Sequence, residues 1–160
     1  TQAFPQIAAE LARQSVSGMI LDGEVLALDA AGRPSFNALQ NRVQMKTPRE
    51  IAAAERDTPA ILYCFDLLHF AGLDLRQAPY SDRRRYLAQC LLPTAHVQRV
   101  HASDDGVALH AAALAQGFEG VMAKRRDSRY EAGRLTGEVR GRAPIDFTLV
   151  AVNVDSGYKG

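Results

Sequence analysis

Hydrophobic and polar positions along this 160-residue chain follow two periods. Phe4, Ile7, Ala8 and Leu11 recur at helical spacing, with Pro5 in the first turn, and predict an amphipathic helix that is over by Gly18. Residues 19–29 read as a strand closed by the turn Asp29-Ala30-Ala31-Gly32. Ser35 is placed to cap a short helix over 36–43, and the polar, alanine-rich stretch 46–57 reads as a surface helix or loop. Residues 60–70 are almost continuously apolar, which predicts a strand covered on both faces. A turn over 71–74 and Pro79 precede a helix over 81–92, with Ser81 as its cap and Tyr86, Leu87 and Cys90 as its apolar stripe. A short strand over 97–101 comes next. A helix over 104–116 follows, with acids in its first turn and Gly117 as its stop. Residues 119–124 and 145–154 read as two further strands, separated by an irregular stretch through Gly133 and Gly137.

Two strands carry charge where a buried strand should not. In 19–29, alternation puts Asp22 and Glu24 on one face with Ile20, Leu26 and Leu28. Gly23 between them packs no side chain and permits a close approach to the backbone. In Glu119-Gly120-Val121-Met122-Ala123-Lys124, an acid and an ammonium bracket apolar residues. Unpaired buried charge costs several kcal/mol, roughly, so such ends either lie in solvent or meet a ligand. A polyanionic nucleotide with a divalent metal would satisfy both ends. Asp66 likewise interrupts an apolar strand and requires a partner.

Composition narrows the class without naming a chemistry. At 47% hydrophobic and 23% charged residues the chain suits one soluble domain with a real core. No apolar stretch approaches a membrane span, and the first residues do not read as a signal peptide. Cys64 and Cys90 form neither a zinc spacing nor a disulfide framework, which fits a reducing, cytoplasmic setting. His69, His96, His101 and His110 show no metal-ligand spacing. The net charge of +1 gives no global pull towards nucleic acid, but basic residues cluster at Arg83-Arg84-Arg85 and again from Lys124 to Arg142. A basic run directly after a charged strand is a candidate for phosphate contact, beside the plainer reading of a solvated face.

Taken in order, Leu21-Asp22-Gly23-Glu24, Tyr63-Cys64-Phe65-Asp66-Leu67-Leu68 and Glu119-Gly120-Val121-Met122-Ala123-Lys124 resemble motifs III, IIIa and IV of the covalent nucleotidyltransferases. The nearest resemblance is to the adenylation domain of bacterial ATP-dependent DNA ligases, including the ligase module of the end-joining type. Residues 32–42, Asp82-Arg83-Arg84 and Tyr130-Glu131-Ala132-Gly133-Arg134 resemble supporting segments of the same ligases. The resemblance implies an α+β fold of mostly antiparallel sheets flanked by helices, the ATP-grasp-like nucleotidyltransferase fold. It implies ATP (carried as AMP) and Mg2+ as cofactors and nicked double-stranded DNA as partner, with fused or associated DNA-repair modules. By resemblance, Glu119 contacts the metal or its waters, and Glu24 the ribose hydroxyl or the metal. Phe65 stacks on adenine and Met122 packs on the opposite face of the base. Lys124 faces phosphate, although alternation sets it across the strand from Glu119, so that a bulge or strong twist is required. Arg140 and Arg142 stand where the family has two motif V lysines, keeping charge and spacing but not the compact lysine charge.

One family feature is absent from the sequence as written. The adenylated lysine of these enzymes lies in a Lys-x-Asp-Gly motif; the lysines here are Lys46, Lys124 and Lys159, none in that context. The expectation is therefore that residues 1–160 are part of an adenylation domain, with the start of that domain and an OB-type domain outside them, and that this chain does not adenylate itself. RNA ligase or capping-type nucleotidyltransferase chemistry on the same scaffold, and a degenerate nucleotide-binding domain without turnover, are the other readings.

Overall fold

The computed structural model describes residues 3–116, 118 and 120–131, and the backbone of 147–152. Its centre is a long strand, β2 (Ala60–Phe70), which pairs antiparallel with β1 (Ile20–Ala27) and parallel with β4 (Val97–Arg99). A tight turn, with Ala71 and Gly72 both at positive φ (47° and 86°), returns the chain into the two-residue β3 (Leu73–Asp74). Leu73 and Asp74, expected within the turn itself, thus extend the sheet. A second sheet has the order β5 (Ala102–Ser103), β7 (Phe147–Val152), β6 (Gly120–Arg125), antiparallel throughout. The sequence pattern gave no warning of β5, because two residues carry no period.

Among the described residues five helices flank the sheets: α1 (Pro5–Ala12), α2 (Phe36–Gln44), α3 (Pro48–Asp57), α4 (Tyr80–Cys90) and α5 (Gly106–Ala115). Their ends follow capping chemistry. Ser35 Oγ accepts from the Ala38 amide, as its position predicts. The stretch left open between helix and loop is helical because Thr47 and Glu50 form a reciprocal capping box with Pro48 at the first position. Two expectations are corrected. Pro79, not Ser81, stands at the cap of α4; Ser81 lies inside the first turn, and its amide donates to Arg126 O at 2.9 Å. In α5 the acids precede the helix rather than occupying its first turn, with Asp105 as the cap on the Ala108 amide.

The core sits between β2 and the helices α1 and α4. Ile7, Cys64, Leu67, Leu87, Leu91 and Val97 close it, and Leu67 and Val97 are wholly buried. Arg42 is a buried cation outside that core. It donates to Thr58 O at 2.9 Å and Ala3 O at 3.0 Å, pairs with Glu55, and lies over the Phe4 ring. Those bonds fasten α2 to α3 and to the start of α1. Among the described residues no helix is long and apolar enough to cross a membrane.

The β1–β2 ladder slips twice. Asp22 faces Asp66 while Gly23 faces Cys64, so Phe65 has no partner on β1; a second slip near Ile20 leaves Leu68 without one. An extra residue of this kind bends a strand and re-aims its side chains. Gly23 is what the first slip requires. A Cβ there would lie 2.6 Å from Tyr63 O and 3.1 Å from Cys64 Cα, both backbone atoms that cannot swing aside. Gly23→Ala is therefore expected to lower the unfolding free energy by about 1–3 kcal/mol, the usual cost of overpacking. Urea denaturation measures it, and an unchanged midpoint would mean that the ladder yields freely at this point.

Candidate functional site

The slip in β2 places Phe65 and Asp66 at the junction of the two sheets. Asp66 is fully buried, and its required partner is Arg83 of α4. Arg83 Nε lies 2.8 Å from Oδ1 and Nη2 2.9 Å from Oδ2, a two-toothed match between guanidinium and carboxylate. The remaining nitrogen, Nη1, donates to Ala78 O at 2.6 Å and to Ser128 O at 3.0 Å. The rings of Tyr80 and Tyr130 lie 5.5 and 5.9 Å from the guanidinium carbon. Asp66 also accepts from the Leu67 amide. Each charge is thus paired and hydrogen-bonded, the condition for keeping both out of water.

The segment after β6 is held onto this pair. Besides the Ser81–Arg126 and Arg83–Ser128 bonds, the Tyr130 amide donates to Arg76 O at 2.8 Å. The Tyr130 hydroxyl reaches across to β1 and donates to Asp22 Oδ2 at 3.0 Å. These bonds tie β6 to the first sheet and fix where Lys124 ends.

Lys124 Nζ lies 4.4 Å from the centre of the Phe65 ring and 5.1 Å from that of Tyr80, so the ammonium rests on aromatic faces. Its pKa is lowered from 10.5: burial disfavours the charge, Arg83 and Arg84 repel it, and Asp66 and Asp22 partly offset both. Burial pushes the Tyr80 hydroxyl far up, while that hydroxyl donates to Phe65 O at 3.3 Å. Val100 packs against Tyr80, with Tyr63 and Phe65 alongside. Tyr63 in turn meets Phe118 edge to face at 6.3 Å. The result is an aromatic-lined recess with a half-buried amine in it and two carboxylates nearby.

Of the residues singled out in sequence, Phe65 and Lys124 meet directly. Met122 lies two residues before Lys124 on β6, 40% exposed. Glu24 is half-buried on β1 opposite Tyr63, two residues from Asp22. Glu119, Arg140 and Arg142 lie outside the described residues. Tyr80, Arg83 and Tyr130 were not among the expected site residues. The signals for them were the lone Asp66 in an apolar strand and the Arg-rich start of α4.

Two outcomes test this arrangement. Asp66→Ala strands a guanidinium that is 2% exposed, and is expected to cost about 3–5 kcal/mol in a denaturant melt. Lys124 gives a pH signature. Its native pKa is below the unfolded value of 10.5, so between the two the unfolded chain holds the extra proton and stability gains with rising pH. Tyr63 and Tyr130, whose pKa values are raised from 10.0, act in the opposite sense above that pH, so the readout is a difference. The stability of the wild type relative to Lys124→Met should rise with pH across the window below 10.5. A flat difference would show that the amine is not held in a desolvated place.

Residues 1–138 match the family model of the ATP dependent DNA ligase domain. A probable DNA ligase of Mycobacterium sp. (strain KMS) is 38% identical over 166 residues, covering 99% of this chain and 31% of the relative. The multifunctional non-homologous end joining DNA repair protein LigD of Mycobacterium tuberculosis (strain ATCC 25618 / H37Rv) is 37% identical over 134 residues, 84% of this chain and 16% of that protein. The crystal structure of the ligase domain from M. tuberculosis LigD superposes with a TM-score of 0.63 at 37% identity, covering 81% of this chain and 40% of the other. The chain therefore spans about a third of the probable DNA ligase, and less of LigD. Family model, relatives and fold agree with one another: this chain belongs to the ATP-dependent DNA ligase domain family.

Proposed function

We propose that residues 1–160 are part of the nucleotidyltransferase domain of an ATP-dependent DNA ligase that seals 5′-phosphate/3′-hydroxyl nicks. In that reaction a lysine amine attacks the α-phosphorus of ATP and pyrophosphate leaves. The AMP passes to the 5′-phosphate of the nick, and the 3′-hydroxyl displaces it. The observation that carries the reading is the Lys124 ammonium set 4.4 Å from the Phe65 ring centre, with Asp22 and Asp66 close enough to raise its pKa against burial. A base stacked on Phe65, with Met122 over its other face, would bring phosphates towards Lys124. Stacking of this kind is worth about 0.5–1.5 kcal/mol beyond area burial. Negative charge that grows on phosphate oxygens during transfer is stabilised best by cations already in place, because no reorganisation is then needed.

The donor chemistry also fits a magnesium ion. Mg2+ takes one or two carboxylates and leaves the rest of its shell to phosphate and water. Glu24 on β1 and Glu119 before β6 are the oxygen donors we assign to it, and Arg140 and Arg142 the later phosphate contacts. When bound, the ion neutralises phosphate charge. The chain's own residues stack the base, set the sugar against Glu24 and hold a cation at the phosphates. Nicked duplex DNA as substrate, fused or associated repair modules and a cytoplasmic setting belong to the same proposal; the free, buried thiols of Cys64 and Cys90 suit a reducing compartment.

ATP binding tests the reading. Phe65→Ala is expected to weaken ATP about three- to tenfold, the equivalent of the stacking energy, and Lys124→Ala to weaken ATP more than adenosine. Calorimetric titration of the chain, and of any longer protein that carries it, gives both. The chain as written should also gain no label from ATP labelled in the α-phosphate. Equal affinity for ATP in Phe65→Ala and wild type would overturn the placement of the base.

A further inference from the structure

The three successive arginines of α4 go to three different places. Arg83 turns inward to Asp66. Arg85 lies in solvent, 3.0 Å from Asp82. Arg84 is half-buried between α4 and the chain after β4: Nη2 donates to Val100 O at 3.1 Å, while Nη1 is buried and has no hydrogen-bond partner among the described residues. Arg84 forms one wall of a cavity of about 290 Å3, whose lining includes Arg99, His101, Leu87 and Val100. Arg99 is pinned by a bond from Nη1 to Ala88 O.

Among the described residues no carboxylate lines this cavity. Nearby acids are engaged elsewhere, Asp82 with Arg85 and Asp104 with Arg126. Two guanidinium groups and an imidazole therefore surround one small space with no counter-charge in its wall. A buried donor left unbonded is costly, and in native proteins such a group is met by a partner that the chain itself does not supply. The two arginines in its lining, rather than its size, point to a phosphate group. The planar fork of arginine matches phosphate oxygens.

We propose that this cavity is a second anion site, taking one phosphate group, either on a nucleic-acid backbone or free in solution. It does not rest on the nucleotide reading of the Phe65 recess. Val100 both packs against Tyr80 and lines the cavity, so the two sites are neighbours with separate ligands.

The test uses the full protein with two probes, nicked duplex DNA across a chloride series and inorganic phosphate. If a backbone phosphate sits here, Arg84→Gln/Arg99→Gln should bind the duplex about tenfold more weakly at low salt. The slope of log affinity against log salt should then fall by about one. If the ligand is free phosphate, that slope stays and inorganic phosphate shifts the His101 ring resonances in wild type but not in the double variant. Arg99→Gln alone, read with the same two probes, covers the case in which loss of the Arg84–Val100 bond prevents folding. The phosphate titration of wild type requires no variant at all. An unchanged slope together with His101 resonances indifferent to phosphate would overturn the site. ATP affinity in Phe65→Ala is a separate measurement, so failure here and failure of the nucleotide reading are told apart.

Discussion

The buried pair of Asp66 and Arg83 holds the rest in place. Neither group could be buried alone, since a lone carboxylate or guanidinium in this interior would cost several kcal/mol, roughly. Together they consume both carboxylate oxygens and leave one guanidinium nitrogen, Nη1, for the carbonyls of Ala78 and Ser128. That second use links the chain after β6 to α4. With Tyr130 closing onto Asp22, the end of β6 is fastened to both β1 and β2 through polar groups rather than through a shared apolar core. Replacing such a pair with hydrophobic residues could preserve stability, but not these directed bonds.

Backbone geometry supplies the other constraint. A regular ladder would alternate β2 side chains strictly between two faces. The unpaired Phe65 breaks that alternation between Cys64, which enters the core, and Asp66, which meets Arg83. Gly23 is the complement on β1, because only a residue without a Cβ allows the backbone of β2 so close. The aromatic ring at the amine and the acid behind it are thus two results of one inserted residue.

Much of this was legible in the sequence, because most elements here are long enough to show a period. The apolar run over β2, the capping serine of α2 and the turn after β1 all follow from local chemistry. The resemblance of three motifs set Phe65 against the base before any coordinates, while Lys124 could join it only through a bulge or strong twist. What the letters could not give was partner choice. Asp66 announced that it needed a cation, yet Arg83, Arg84 and Arg85 are alike in sequence and differ only by the 100° step of the helix on which they sit. Alternation along β6 could likewise not say that Lys124 would rest on Phe65, because that depends on the slip in another strand. Ser81 was mistaken for a cap on good local grounds; Pro79 already fixes the entry to α4, and the Ser81 amide is taken by Arg126.

The charges around Lys124 set the cost of burying it. Asp66 and Asp22 supply negative charge beside Lys124, and Arg83 and, from the neighbouring cavity, Arg84 supply positive charge. Asp66 does most to offset that burial and Asp22 less, although Asp66 is also matched by Arg83 and Asp22 also serves Tyr130. Burial meanwhile pulls the amine towards neutrality. A polyanion entering the recess would reverse that balance, favouring the protonated lysine more than any group of the empty site does. Binding and protonation are then linked, and each must strengthen the other by the same free energy. Burying the lysine thus has its cost in the protein alone, and a polyanion bound beside it would return part of that cost.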